Sequence, residues 1–270
     1  MRTLGLVAGT LAAAALLTGC SRSAGPAERL GPEAAGRAGE RTAHAAGDSR
    51  APQPPYRRWG LVAPLAAAPR PADRPAHPAG RTLPPVVERV PTRDKVVFLT
   101  YDDGAERDPR FVDLVRELRL PVSLFLTDSV VGPGYAHFAR LRAVGASVQN
   151  HTLDHAVLRG LPYAGQRAEI CGQRDKLRAR FGVRPRLLRP PYGAHDATTL
   201  RAAADCQMAA VVRWSVSVAG AGAPARLVPG DIVSLPSGEL AAPPLRDRTV
   251  AVLRRIQRQG LTVGRLEDYL

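Results

Sequence analysis

From Lys95 onward the sequence predicts an α/β fold built on a parallel sheet or barrel. Two observations lead there. Short apolar runs of strand length alternate with amphipathic stretches of helical length, the pattern of βα units. Polar clusters able to carry chemistry follow several of the apolar runs directly, as in folds that place their sites at the carboxyl ends of strands. The 45% hydrophobic content over 270 residues is ample for one sizeable core.

The elements follow in order. Val96, Val97, Phe98 and Leu99 form a continuous apolar run, expected of a strand covered on both faces, and deliver Asp102 and Asp103 to its end. The next helix is expected to take Asp108 as N-cap and Pro109 as its first residue, with Phe111, Leu114, Val115 and Leu118 on one face. Val122 to Leu126 reads as a second strand. The pattern then repeats: helix Ala136 to Ala143, strand Ala146 to Gln149, helix Pro162 to Phe181, strand Leu187 and Leu188, helix Ala197 to Asp205. Ala209 to Val216 and Asp231 to Leu235 are strand-like, and Arg246 to Gln259 closes with a helix before Leu261 to Val263.

The region before Lys95 is of another kind. Arg2 and the apolar run Leu4 to Leu17, short for a bilayer span, read as an export signal. The run ends in Leu17, Thr18, Gly19, Cys20, which resembles the bacterial lipobox; on that resemblance residues 1–20 are a lipoprotein signal and Cys20 carries lipid. The product is then exported, membrane-anchored and facing the cell wall. Residues 21–91 are rich in Pro, Ala, Gly and Arg with little periodicity, and are expected to be a disordered linker before a domain at residues 92–270. Trp59 to Ala68 is an apolar island in it that either docks on the domain or stays part of the tether.

The net charge of +14 is carried almost wholly by scattered arginines, since Lys95 and Lys176 are the only lysines. No aromatic-rich binding segment lies among them, which argues against nucleic acid and suits a polyanionic wall or membrane surface. Outside the cytoplasm, Cys171 and Cys206 are left to pair with each other once Cys20 is acylated. The alternatives are two buried thiols or a metal site, although neither cysteine has a second sulfur or a histidine at zinc-finger spacing.

Three clusters fall at strand ends: Thr100-Tyr101-Asp102-Asp103-Gly104, His151-Thr152-Leu153-Asp154-His155, and Arg189-Pro190-Pro191-Tyr192-Gly193. Adjacent carboxylates are costly unless a cation neutralises one, and imidazoles four residues apart can face one way on a helical turn. Asp103, His151 and His155 would make a three-ligand centre with open positions for water, as catalytic zinc requires. Alone, an Asp-Asp-Gly turn, a His-x-x-x-His pair or a proline-rich loop is commonplace. Their joint occurrence in this order, each after a strand, carries the signal.

Over about Lys95 to Leu270 the chain resembles the polysaccharide deacetylase family, also called the NodB-homology or carbohydrate esterase 4 family. The motifs Thr-Phe-Asp-Asp-Gly, His-Ser/Thr-x-x-His and Arg-x-Pro-Tyr are all present, with only Phe replaced by Tyr101. The resemblance implies a distorted (β/α) barrel holding a divalent ion, zinc with cobalt or nickel as alternatives. It implies Asp103, His151 and His155 as ligands, Asp102 as general base, and Arg189 paired to Asp102. The Tyr192 backbone N–H would meet the oxyanion, and Tyr192, Trp214 and Leu235 would line the sugar site. The implied reaction is hydrolysis of N-acetyl groups on cell-wall or chitin-like polysaccharide, by a protein acting as a monomer.

Two departures concern one step. The family places a proton-donating histidine after a strand like Gly230 to Leu235, and here Pro236 stands in its place. The residues after Trp214, namely Ser215 to Val218, lack the acids that tune such a donor. Three expectations follow: a deacetylase impaired or altered in its acid step, an inactive glycan-binding lipoprotein that keeps the fold, or an amidase using another donor such as His195.

Overall fold

The computed structural model describes residues 53–71, 83–105, 108–220, 222, 224–236 and 243–270. Cys20, the signal segment and much of the expected linker lie outside the described residues.

The helices, in chain order, are α1 (Pro55–Arg58), α2 (Phe111–Leu118), α3 (Asp128–Val131), α4 (Tyr135–Ala143), α5 (Tyr163–Phe181), α6 (Ala197–Asp205) and α7 (Leu245–Arg258). The strands are β1 (Val86–Val87), β2 (Val96–Asp102), β3 (Val122–Leu126), β4 (Ser147–Asn150), β5 (Leu187–Leu188), β6 (Ala210–Val212), β7 (Val216–Ser217), β8 (Ile232–Leu235) and β9 (Thr262–Val263). Every strand pairing is parallel, in the order β1-β6-β5-β4-β3-β2-β8-β7. The sheet curls into an open barrel with helices around it, as the alternation predicts.

The strand β2 sits at the centre because it is apolar on both faces: Val96 to Leu99 and Tyr101 are all buried. One edge pairs with β8 beside Phe98 to Tyr101, and the other is shared by β9 beside Val96 and Val97 and by β3 beside Leu99 to Asp102. On one side of the sheet Val97, Leu99 and Tyr101 pack with Phe111, Leu114, Val115 and Leu253; on the other Val96 and Phe98 pack with Phe125, Ile232 and Tyr269. Alternate side chains of one strand thus feed two apolar layers, each worth about 1.5–3 kcal/mol per large side chain buried.

Three expectations change. First, Asp108 does not cap its own helix. The helix α2 starts at Phe111, and the Asp108 carboxylate instead accepts from the Arg246 backbone N–H at 3.1 Å and its guanidinium at 3.0 Å, satisfying the start of α7. Second, the run Ala209 to Val216 is two strands, β6 and β7, which lie at different places in the sheet.

Third, ordered packing begins before Lys95. β1 joins the sheet beside β6. The island Trp59 to Ala68 docks: Leu61 is 3% exposed, Trp59 Nε1 donates to Glu117 at 2.7 Å, and Arg254, Gln257 and Tyr269 donate to the carbonyls of Gly60, Ala63 and Pro69. A proline-rich segment with no periodicity cannot build a core, yet a few apolar anchors suffice to lay it on one that exists.

Cys171 and Cys206 form a disulfide with Cα atoms 5.1 Å apart, tying α5 to the end of α6. No helix among the described residues is long and apolar enough to cross a membrane.

Candidate metal centre

The three clusters meet at the carboxyl ends of β2, β4 and β5. Asp102 ends β2 and Asp103 follows it, the strand breaking at Gly104, whose φ of 95° favours glycine. His151 follows β4 directly, and Arg189 follows β5. One ligand atom from each of Asp103, His151 and His155 lies within 4.8 Å of the other two.

The two imidazoles converge without a helix. The segment from His151 to His155 is a loop in which Thr152 (φ 74°) and His155 (φ 58°) both take left-handed backbone conformations, rare for residues other than glycine. The four-residue spacing works because the loop doubles back, and the two rings lie 4.9 Å apart, nearly edge to face.

Hydrogen bonds fix two of the donors, His151 and Asp103. His151 is 2% exposed, and its Nδ1 lies 2.7 Å from the Arg189 carbonyl. A carbonyl only accepts, so Nδ1 carries the proton and Nε2 keeps its lone pair. Burial pushes the His151 pKa down to about 4, and burial also lowers His155, so both rings are neutral at neutral pH. Thr127 bridges two clusters: its N–H donates to Asp103 Oδ1 at 2.7 Å and its hydroxyl to the His151 carbonyl at 2.8 Å.

Beside this set lies an ion pair. Arg189, with no side-chain exposure, donates to Asp102 Oδ1 at 2.7 Å, to Thr100 Oγ1 at 2.9 Å and to the Arg213 carbonyl at 3.3 Å. Its guanidinium stacks 4.1 Å from the centre of the Phe125 ring and 5.6 Å from that of Trp214. Burial alone would raise the Asp102 carboxyl, but the charge and hydrogen bond of Arg189, together with the neighbouring His151 and His155, outweigh it, and the carboxyl sits below its ordinary value.

The remaining candidates are distributed unevenly. Tyr192 is 71% exposed, takes φ 58° and places its ring 5.1 Å from that of His155. Trp214 is half-buried. Leu235 is wholly buried in the main apolar cluster, so its side chain presents no surface to a solvent-borne sugar. Pro236 ends β8, and its carbonyl accepts from the buried Arg248 at 2.8 Å. His195 Nδ1 donates to the nearby Gly193 carbonyl at 3.0 Å.

The donor set fits a divalent ion of the zinc type: one carboxylate and two neutral imidazoles, the buried one with its far nitrogen already committed to a carbonyl. Sequence reasoning missed the residues that hold these donors, namely Thr127, Asn150 and Glu169. None belongs to a cluster; Thr127 and Glu169 act on the backbone of distant segments, a relationship that leaves no local pattern, while Asn150 accepts from the Thr152 N–H two residues on.

A curled parallel α/β sheet with a carboxylate–imidazole centre on its carboxyl rim defines the class of protein. The polysaccharide deacetylase family model matches residues 89–211. A chitooligosaccharide deacetylase of Sinorhizobium fredii is 31% identical over 205 residues, covering 65% of this chain and 88% of that one. The chain belongs to the polysaccharide deacetylase family. The uncharacterized protein SCO4760 of Streptomyces coelicolor is 60% identical over 218 residues, covering 76% of this chain and 88% of its own. Among solved structures, a CE4 family pseudoenzyme from Bacillus anthracis superposes with a TM-score of 0.57 at 20% identity over 67% of each chain.

Proposed function

We propose that this protein hydrolyses N-acetyl groups on cell-wall or chitin-like polysaccharide, with a divalent ion held by Asp103, His151 and His155. The observation that carries the reading is the convergence of those three donors beside an Asp102 kept ionised by Arg189. The Sinorhizobium fredii relative, a chitooligosaccharide deacetylase, supports the substrate class.

Held by Asp103, His151 and His155, a zinc ion, or cobalt or nickel in its place, would supply Lewis acidity toward the acetyl carbonyl and lower the pKa of the attacking water. Asp102 takes the proton from that water. Its carboxylate is available at neutral pH because Arg189 holds its pKa down, and Arg189 itself is held by Thr100 and the Arg213 carbonyl. The Tyr192 backbone N–H serves the developing oxyanion, and the Trp214 ring walls the sugar. The amine must gain a proton to leave, and Pro236 has none to give, so the acid step is slow or falls to another group.

That same proline favours a second reading, a glycan-binding protein that keeps the fold without turnover. One comparison separates the two: acetate release from chito-oligomers and peptidoglycan by the zinc-loaded protein and by Pro236→His. General acid assistance is typically worth about 10²–10⁴-fold, so an impaired deacetylase gains a rate increase of that order in the variant. If neither protein releases acetate while both bind glycan, the enzymatic reading is lost.

We also propose that Cys20 is lipidated and anchors the exported domain at the membrane, facing the wall. The Leu-Thr-Gly-Cys sequence supports this, and mass analysis of the mature amino terminus tests it.

A further inference from the structure

We infer that Glu169, on α5, is the positioning residue that holds the His151–His155 loop in its metal-ready shape. The inference rests on the metal-centre reading above. Glu169 Oε2 accepts the backbone N–H groups of Leu153 and Asp154, each at 3.0 Å. The N–H of Thr152, one residue earlier, donates to Asn150 Oδ1 at 2.9 Å. Three successive backbone donors between the two histidines are thus satisfied by side chains.

The loop needs this support because its path is one the chain does not take unaided. Left-handed φ values at Thr152 and His155 bracket Leu153 and Asp154, and at Thr152 the residue is β-branched, where such a conformation is a true outlier. Loops of this kind persist only where the surroundings over-determine them.

The helix α5 is built to supply that support. Its inward positions carry polar side chains: Gln166 donates to the Leu161 carbonyl at 2.9 Å, Glu169 accepts from the loop, and Gln173 donates to the Leu126 carbonyl, which also accepts the His151 N–H at 3.1 Å. Asn150 Nδ2 in turn donates to the Ile170 carbonyl at 2.8 Å, locking loop to helix. The helix also approaches closely at Gly172, where an added Cβ would meet Leu153 Cδ2 at 3.2 Å. Glu169 stands outside the three converging donors, and its two hydrogen bonds act on them through the loop backbone.

The test is a zinc titration of the full chain against a competing chromophoric chelator, for wild type, Glu169→Ala, Glu169→Gln and Glu169→Asp, with thermal unfolding of the zinc-free proteins alongside. Supporting groups of this kind typically contribute about ten- to a hundredfold in metal affinity. Glu169→Ala is expected to weaken zinc binding by that factor, while Glu169→Gln, which keeps an acceptor oxygen, stays within a few-fold of wild type. Should Glu169→Ala fail to fold, Glu169→Asp carries the test, its shorter carboxylate weakening binding to an intermediate degree. Wild-type affinity in Glu169→Ala, or in Glu169→Asp where that variant carries the test, overturns the inference; so does a Glu169→Gln loss as large as that of Glu169→Ala. Wild type that binds no zinc overturns the metal-centre reading itself, a result distinct from either.

Discussion

Arg189 and Asp102 form an ion pair at 2.7 Å in which the guanidinium has no solvent exposure and the carboxylate keeps 19% of its own. The same arginine uses its main-chain carbonyl to fix the proton on His151. One residue thereby sets the charge of the proposed base and the tautomer of a proposed ligand, which makes the Arg-x-Pro-Tyr cluster a junction between the other two.

Arg189→Ala is expected to cost about 3–5 kcal/mol of stability, because it strands a largely buried carboxylate. Arg189→Lys cannot reach Asp102, Thr100 and the Arg213 carbonyl with one fork, and recovers only part of the loss. Urea denaturation of the three proteins at neutral pH measures both. Unchanged midpoints would show that the pair holds nothing together.

His151 makes the zinc-free protein acid-sensitive. Its folded pKa lies at about 4, below the ordinary histidine value near 6.5, so between those values the unfolded chain binds a proton that the folded chain refuses. Stability therefore falls as pH drops through that window, by on the order of 3 kcal/mol from this group, and His155 adds to it in the same direction. His151→Gln is expected to flatten the dependence in unfolding measurements from pH 7 to 4; an identical slope in wild type and variant would contradict the assignment.

The Cys171–Cys206 disulfide closes a loop with a sequence separation of 35. In the chain-entropy model such a loop stabilises by about 4 kcal/mol. The double variant Cys171→Ser, Cys206→Ser is expected to lose stability of that order, read as a lowered denaturant midpoint that no longer responds to reductant.

Leu61 belongs to the core although it lies in a proline-rich stretch. At 3% exposure it packs in the main apolar cluster, and Leu61→Ala is expected to cost about 2–5 kcal/mol by cavity formation. Thermal unfolding measures it. A loss under about 0.5 kcal/mol, ordinary for surface changes, would return the segment to the status of a tether.

Much of the fold was legible because its elements obey local rules. The helix α6 is framed by Asp196, whose carboxylate accepts the Thr199 N–H in a full capping box, and the strand β2 announces itself by apolar continuity. The three candidate donors Asp103, His151 and His155 were legible because they cluster at strand ends. Asp108 was misread for the same reason: Asp-Pro before an apolar run satisfies the local rule for a cap, while its partner Arg246 lies 138 positions away. The helix α5 could be placed but not oriented, since its inward face holds Gln166 and Gln173, buried against carbonyls instead of oil. Thr127 and Glu169 act on backbone groups of other segments, and no spacing in the sequence encodes that.

Acetate release from N-acetylated glucosamine oligomers by the zinc-loaded protein, compared with Asp102→Asn and with Asp103→Ala, decides whether the ionised Asp102 and the three donors act together in hydrolysis. Wild type is expected to release acetate slowly and only with zinc, Asp102→Asn to release none despite retained zinc, and Asp103→Ala to release none with zinc lost. Release that persists in Asp102→Asn, or a wild type inert with zinc bound, would contradict that joint action.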